Sequence, residues 1–159
     1  MTKLNKIIYF IISIIFFICF DLYFSNLILN DLRFKMPKNE VFDLIFVQNT
    51  GAAFNILEDF KVFLVAFAII AFLLIFIYAI KHVEKYSTIA VFWAAMLLAG
   101  ISCNMSERIT FGYVRDFFKL NFIDFPVFNI SDIFINIGVL AIIIIIIKNK
   151  YLKNNETND

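Results

Sequence analysis

Four long apolar runs divide this chain, and they constrain its fold more than any other feature. They lie at about residues 7–29, 62–80, 88–104 and 129–147, and the second has nineteen positions without a charge. A helix needs about 20 largely apolar residues to cross the hydrocarbon core of a bilayer. Hydrophobic residues make up 62% of the chain, well above the share found in soluble domains. We therefore predict an all-α membrane protein whose four transmembrane helices form one domain over residues 1–159.

The two longest connections emerge on the same side of the membrane, because successive spans alternate in direction. They cover residues 30–61 and 109–128, and both are rich in aromatic and aliphatic side chains. Runs such as Val41–Val47 favour β-structure, so we expect a small β-containing loop region on that face. The polar segment 152–159 is expected to be a disordered tail.

Positive charges do not orient the four spans. The chain has 14 Lys and Arg residues, and the expected topology puts seven on the side of the termini and seven on the other side. The rule that places excess Lys and Arg in the cytoplasm therefore gives no answer. The formal net charge is only +1, so composition offers no basic field for nucleic acid.

Several common catalytic arrangements are missing from the sequence. His82 is the only histidine, which removes the usual Ser-His and Cys-His mechanisms and the HExxH zinc motif. Cys19 and Cys103 form neither a CxxC pair nor a Cys/His cluster that would hold a metal. Both fit the role of small packing residues inside helices. We expect neither a metal site nor a cofactor.

Polar residues in or beside the spans concentrate toward the face with the long loops. A charge at the bilayer centre costs about 2.5–3.5 kcal/mol on insertion scales, so such residues need an explanation. Asn104 and Arg108 share one helix face if the third span continues that far. Asn129 has the position of an ordinary helix N-cap, three residues before Asp132. The set predicts a polar pocket, and its members are Asp21, Asn49, Gly51, Asn104, Arg108, Asp116, Asn129 and Asp132.

Four segments carry this polar set along the chain. They are Asp21 in the first span, the string Asn49-Thr50-Gly51-Ala52-Ala53-Phe54, the stretch from Asn104 to Arg108 with Tyr113-Val114-Arg115-Asp116-Phe117, and Phe128-Asn129-Ile130-Ser131-Asp132. In this order and spacing they resemble the lipoprotein signal peptidases, the type II signal peptidases of bacteria. The likeness covers nearly the whole chain, and the segments are specific as a set although each is weak alone.

The resemblance implies an aspartyl endopeptidase that removes the signal peptide from diacylglyceryl-modified prolipoproteins, just before the lipidated cysteine. It assigns the catalytic dyad to Asp116 and Asp132, and it leaves open which is the base and which the acid. It assigns substrate binding or support of the dyad to the other members of the set: Asp21, Asn49, Gly51, Asn104, Arg108 and Asn129.

The same resemblance implies a multi-pass hydrolase of the bacterial inner membrane. Its termini would be cytoplasmic and its active site periplasmic, which would make the β-containing loop region extracytoplasmic. Lipid-modified prolipoproteins and membrane lipids would be its partners, the inhibitor globomycin would bind, and we expect a monomer.

Three positions depart from the family pattern. The family usually reads Gly-Asn-x-x-Asp-Arg at the end of the third span, where this chain has Cys103 before Asn104 and Glu107 before Arg108. A lysine that often follows the first-span aspartate by four residues is replaced by Ser25. These changes bear on details of substrate or inhibitor contact and leave both aspartates of the dyad in place.

Aromatic residues of the two loops are candidates for the wall of the pocket. We predict that Phe54, Phe117 and Phe118 shape its apolar side, and a simple location at the membrane interface fits their composition equally well.

Two other functions are compatible with acids inside a membrane protein. A small proton-coupled transporter would need carboxylates near the midplane with access from both faces. Asp116 in a loop and Asp132 at a helix start disfavour that arrangement. A catalytically silent scaffold would not need two acids flanked by asparagines.

Overall fold

Four long apolar helices dominate the computed structural model, which describes residues 1–52, 56–58 and 60–156 and the side chains as far as residue 150. They are α1 (Lys3–Leu27), α3 (Lys61–His82), α4 (Thr88–Phe111) and α5 (Ile130–Glu156). Each is long and apolar enough to cross a membrane. The predicted class, an all-α membrane protein with four spans, is confirmed.

Local signals explain where α4 begins and ends. The Ser87 hydroxyl caps its first turn by accepting a hydrogen bond from the backbone N–H of Ala90 at 3.2 Å. Its last turn closes at Gly112, whose φ of +91° lies in the left-handed region that glycine adopts without steric cost. The helix therefore continues beyond the predicted end at residue 104 and carries both Asn104 and Arg108.

The ends of α1 and α5 also extend past the apolar runs. A π-helical turn (Ile28–Leu32) and the short helix α2 (Arg33–Lys35) continue α1 toward the first long loop. Helix α5 continues to Glu156, through most of the segment that was expected to be disordered, and residues 157–159 lie outside the described part.

Two strands form a small antiparallel sheet at the end of the helices. Strand β1 (Phe42–Asn49) comes from the first long loop and β2 (Val114–Leu120) from the second. Their register pairs Phe42 with Leu120 and Asn49 with Val114, with an irregularity between Leu44 and Val47. Both loops were expected to contribute β-structure to one face, and this expectation is confirmed. We call this side of the protein the sheet face.

Helix α4 lies at the centre of the bundle and packs against α1, α3 and α5. Gly100 makes the contact with α5 unusually close, since a Cβ atom there would lie 2.6 Å from the Ser131 carbonyl oxygen. Below the sheet, a hydrophobic cluster that includes Phe17, Ala99, Phe117 and Phe134 fills the space between α1, α4 and α5. These contacts fix the start of α5 against α4 and β2, where the predicted polar residues converge.

Candidate active site

Asp116 and Asp132 come together at the sheet face through a shared partner, Asn129. The side-chain amide of Asn129 donates to Asp116 Oδ1 at 3.1 Å, and its backbone N–H donates to Asp132 Oδ2 at 3.0 Å. Asp116 belongs to β2 and Asp132 to the first turn of α5. One asparagine therefore contacts both carboxyl groups, although they lie sixteen positions apart in sequence.

The position of Asn129 follows from helix capping. Asn129 Oδ1 accepts the backbone N–H of Asp132 at 2.9 Å, while Asp132 Oδ2 accepts the backbone N–H of Asn129. This reciprocal pair is a capping box, which satisfies two N–H groups that the first turn of α5 would otherwise leave unpaired. Asn129 is thus an N-cap and a dyad contact at once, because its amide nitrogen is still free to reach Asp116.

Two further asparagines complete the hydrogen bonds of the carboxyl groups. Asn49 Nδ2 donates to Asp116 Oδ2 at 2.8 Å, and Asn104 Nδ2 donates to Asp132 Oδ1 at 2.8 Å. Asn104 Oδ1 in turn accepts from Asn129 Nδ2 at 3.0 Å. Each of the four carboxyl oxygens therefore accepts a hydrogen bond from an N–H donor, which fixes both groups in orientation.

Arg108 and Gly51 hold Asn49 in place. Arg108 Nη2 donates to the Gly51 carbonyl oxygen at 2.7 Å, and the Gly51 N–H donates to Asn49 Oδ1 at 3.0 Å. The end of α4 is thereby tied to the loop that follows β1. Arg108 makes no salt bridge with either aspartate among the described residues, so its contact with the dyad is indirect.

Burial makes the ionisation of Asp116 costly. Asp116 is 1% exposed, and its pKa is raised to about 7, chiefly by removal from water. The negative charge of Asp132 contributes to this rise in the pKa, whereas the hydrogen bond from Asn49 and the positive charge of Arg108 oppose it. Two carboxyl groups in this arrangement can share one proton near neutral pH.

Asp21 of α1 lies beside the start of α5, and its hydrogen-bond partner is not one of the asparagines that contact Asp116 and Asp132. Its Oδ1 accepts the Ser131 hydroxyl at 2.8 Å, and Asp21 and Ser131 are both buried. A cavity of about 430 Å³ between α1 and α4 is lined by Asp21, Cys103, Glu107 and Arg115 among others. The sequence pointed to Asp21 but not to Ser131, although Ser131 lies within the same Phe128–Asp132 segment.

One buried ion pair was not predicted. Glu107 Oε1 lies 2.6 Å from Arg115 Nη2, and the two side chains are 10% and 17% exposed. Arg115 follows Glu107 by eight residues, with the end of a helix between them. This spacing matches no standard sequence pattern for an ion pair. Only the turn at Gly112 brings Arg115 back toward α4.

The predicted aromatic wall is only partly described. Phe117 is fully buried in the cluster under the sheet, so it belongs to the protein core and not to an open wall or the membrane interface. Phe118 is partly buried and pairs with Phe128 at a centroid distance of 5.6 Å. Phe54 lies outside the described residues. Within the described ranges, no group of three or more His, Cys, Asp or Glu residues could hold a metal ion.

Comparison with known sequences places this arrangement in one family. A family model described as signal peptidase (SPase) II matches residues 13–148. A lipoprotein signal peptidase of Buchnera aphidicola is 41% identical over 142 residues, which cover 83% of this chain and 90% of that protein. A lipoprotein signal peptidase of Streptococcus thermophilus is 34% identical over 126 residues, covering 79% and 80%.

Solved structures agree with the sequence comparison. A bacterial membrane enzyme determined at 2.3 Å superposes with a TM-score of 0.76 at 27% identity, covering 89% of this chain and 88% of that one. A second, determined at 1.9 Å, gives a TM-score of 0.73 at 28% identity, covering 87% and 92%. With four apolar spans and a family match over most of its length, the chain is a bacterial membrane protein that belongs to the signal peptidase II family, the lipoprotein signal peptidases.

Proposed function

We propose that this protein cleaves diacylglyceryl-modified prolipoproteins just before the lipidated cysteine, with Asp116 and Asp132 as the dyad that activates water. The observation that carries the proposal is the contact of Asn129 with both carboxyl groups. Peptide hydrolysis requires a base to deprotonate water and an acid to protonate the scissile carbonyl oxygen. Two carboxyl groups supply both functions when one is ionised and its partner is protonated.

The electrostatics of the site support this division of roles. A pKa of about 7 at Asp116 means that a proton is held at the dyad up to neutral pH. The ionised carboxyl group takes a proton from water, and the resulting hydroxide attacks the scissile carbonyl carbon. The protonated carboxyl group donates to the carbonyl oxygen, and a proton returns to the leaving amine as the tetrahedral intermediate collapses. The two groups titrate as a unit, so either aspartate can be the base.

The supporting residues have distinct tasks in this proposal. Asn104 and Asn129 orient Asp132, while Asn49 and Asn129 orient Asp116. Arg108 acts through Gly51 to hold Asn49. Preorganisation of this kind lowers the barrier because the carboxyl groups need little rearrangement during the reaction.

The location of the dyad fits a substrate that arrives through lipid. Asp116 lies in a strand beyond the helices and Asp132 in the first turn of α5, so the site is at one end of the bundle. A signal peptide is an apolar helix and the diacylglyceryl group prefers hydrocarbon, so both can approach laterally. We place the sheet face on the periplasmic side of the inner membrane and both termini in the cytoplasm. A transporter would instead need its carboxyl groups near the midplane.

The decisive experiment uses the purified full-length protein in detergent or lipid with a lipidated prolipoprotein. We expect Asp116→Asn and Asp132→Asn each to reduce cleavage by about a thousandfold or more, because each removes one proton-transfer group. Asp124→Asn is the matched control, since Asp124 is an exposed acid between β2 and α5. Substantial cleavage by both dyad variants would refute the mechanism.

Two additional expectations concern ligands and assembly. Globomycin should compete with the lipidated substrate, and substrate lacking the diacylglyceryl group should be cleaved poorly. The protein should act as a monomer, which a mass measurement in detergent during turnover can check.

A further inference from the structure

Arg115, the residue before Asp116, is held by an unusually complete set of contacts to Glu107. Glu107 Oε2 accepts the backbone N–H of Arg115 at 2.7 Å. Glu107 Oε1 accepts Arg115 Nε at 2.8 Å and Nη2 at 2.6 Å. One carboxylate therefore binds both the main chain and the guanidinium of the same residue, and charge-assisted hydrogen bonds of this length are the strong kind.

Two other groups contact the same guanidinium. Arg115 Nη1 lies 3.5 Å from Asn26 Oδ1 of α1, and its Cζ lies 4.8 Å from the centroid of the Phe111 ring. Glu107 itself is 8% exposed, so the pair sits largely out of solvent. A buried charge that lost its partner there would carry a large desolvation penalty.

Strand geometry connects this pair to the dyad. Successive residues of a β-strand point to opposite faces, so Arg115 and Asp116 project in opposite directions from β2. Glu107 holds the Arg115 guanidinium on the face opposite the dyad, and it holds the backbone N–H of the strand itself one residue before Asp116. A shift of Arg115 would move the Asp116 backbone and hence its carboxyl group.

The last turns of α4 thus hold each segment that supplies the site. Asn104 binds Asp132 of α5, and Arg108 binds Gly51 of the loop after β1. Glu107 binds Arg115 of β2. The asparagine and the arginine were expected at the pocket, whereas the glutamate was known only as a departure from the family's usual aspartate.

We propose that Glu107 is a positioning residue for peptide hydrolysis, which fixes Asp116 by holding the backbone N–H and the guanidinium of Arg115. The Glu107 carboxylate reaches both groups of Arg115, with one oxygen on the backbone N–H and the other on the guanidinium. This inference rests on the proposed function of Asp116, and it adds a role for a buried pair that does not touch the dyad.

The test compares kcat and KM for a lipidated prolipoprotein in full-length variants. Glu107→Gln should lower kcat by about tenfold to a hundredfold, because small displacements of a catalytic group have effects of this size. KM should stay within about threefold, since the role proposed for the pair is to position Asp116 and not to bind substrate. Lys119→Gln, an exposed charge on the same strand, is the control and should behave like the wild type.

The pH profile separates positioning from a general loss of structure. Asp132, Arg108 and Glu107 are the charged groups that act on Asp116, and the negative charge of Glu107 raises the Asp116 pKa. Glu107→Gln should therefore shift the alkaline limb of the kcat–pH profile, where activity is lost as pH rises, to lower pH. A partly unfolded sample would instead lose the same fraction of its rate at every pH. Glu107→Asp keeps the charge but shortens the reach, so it should lower kcat without moving the limb.

Coupling between the partners provides the second test. Glu107→Gln/Arg115→Gln should have a kcat within about threefold of Glu107→Gln alone, because both changes break one contact. If Glu107→Gln does not fold, Arg115→Lys and Glu107→Asp are compared with the wild type in its place. Each should lower kcat with KM nearly unchanged. Wild-type kcat in these variants, or fully additive losses in the double variant, would overturn the role of Glu107. Cleavage by Asp116→Asn would instead refute the proposed dyad.

Discussion

Helices α3 and α4 both cross the membrane, yet they relate to the rest of the protein in opposite ways. Helix α3 is the most apolar of the four candidate spans and none of its residues is buried. Helix α4 is the least apolar, and nine of its residues are buried, including Asn104 and Glu107. In a soluble protein the more apolar helix would be expected at the core.

The difference follows from the solvent. Lipid tails accept apolar side chains as well as a protein interior does, so α3 gains little by burying its surface. Polar and charged side chains are costly in lipid and face the protein interior, where they find partners. In this family member the polar residues of a span therefore mark both the core and the candidate active site, and hydropathy marks the lipid-facing surface.

Among substitutions that test this contrast between the helices, the largest effect should come from the closest helix contact. In Gly100→Leu, the new Cβ would meet the Ser131 carbonyl oxygen at 2.6 Å and Ile135 Cγ1 at 2.9 Å, so α5 must move. Overpacking costs about 1–3 kcal/mol, and displacement of neighbouring Asp132 should lower kcat by about a hundredfold or more. Cleavage rates and thermal unfolding in detergent measure both effects.

The matched control for that change is Ala66→Leu on α3, where the side chain is exposed. It places the same leucine side chain on a helix face that meets lipid, and it should leave both rate and unfolding temperature nearly unchanged. A comparable loss in the two variants would mean that α3 is packed against something in the working enzyme.

A smaller loss is expected from Asn104→Ala. This variant removes the hydrogen bond to Asp132 Oδ1 and one partner of Asn129, but both carboxyl groups remain. We expect kcat to fall by about tenfold to a hundredfold, clearly less than in Asp116→Asn. Ser106→Ala, two residues along on the exposed side of the helix, is the control. Equal abolition by Asn104→Ala and Asp116→Asn would argue for a direct catalytic role of the asparagine.

Sequence patterns predicted the architecture well because the bilayer imposes a simple rule on length and polarity. Four apolar runs gave four helices, and alternation put both long loops on one face. The end of the third span was predicted too early, at residue 104. Polar residues such as Asn104, Glu107 and Arg108 are typical of a chain that leaves the membrane. In the fold these residues face inward, and the helix ends only at Gly112.

The site was predicted as a set of residues but not as a set of contacts. Asn129 was assigned both to capping and to the dyad, and its hydrogen bonds serve the two roles together. The Glu107–Arg115 and Asp21–Ser131 pairs were missed, because each depends on segments that meet only after the bundle assembles. No periodicity within one segment encodes such a pairing.

The pH dependence should respond to the hydrogen bonds of Asp116. The proposed mechanism requires one protonated carboxyl group, so the rate should fall as pH rises through the raised Asp116 pKa of about 7. The hydrogen bond from Asn49 lowers this pKa, and Asn49→Ala should therefore move the alkaline limb to higher pH. The shift is opposite in sign to that expected for Glu107→Gln. A limb that stays in place in both variants would mean that Asp116 is not the group whose proton is lost.

The smallest effect is expected on the lipid-facing side of α3. Ile70 is 57% exposed, whereas Leu98 on α4 is fully buried. Ile70→Ala should change the free energy of unfolding by no more than about 0.5 kcal/mol, while Leu98→Ala leaves a cavity and should cost about 2 kcal/mol or more. Unfolding of both variants in the same lipid or detergent compares them directly. Since lipid can refill the space left at Ile70 but not the space left at Leu98, similar costs at the two positions would contradict the contrast between the helices.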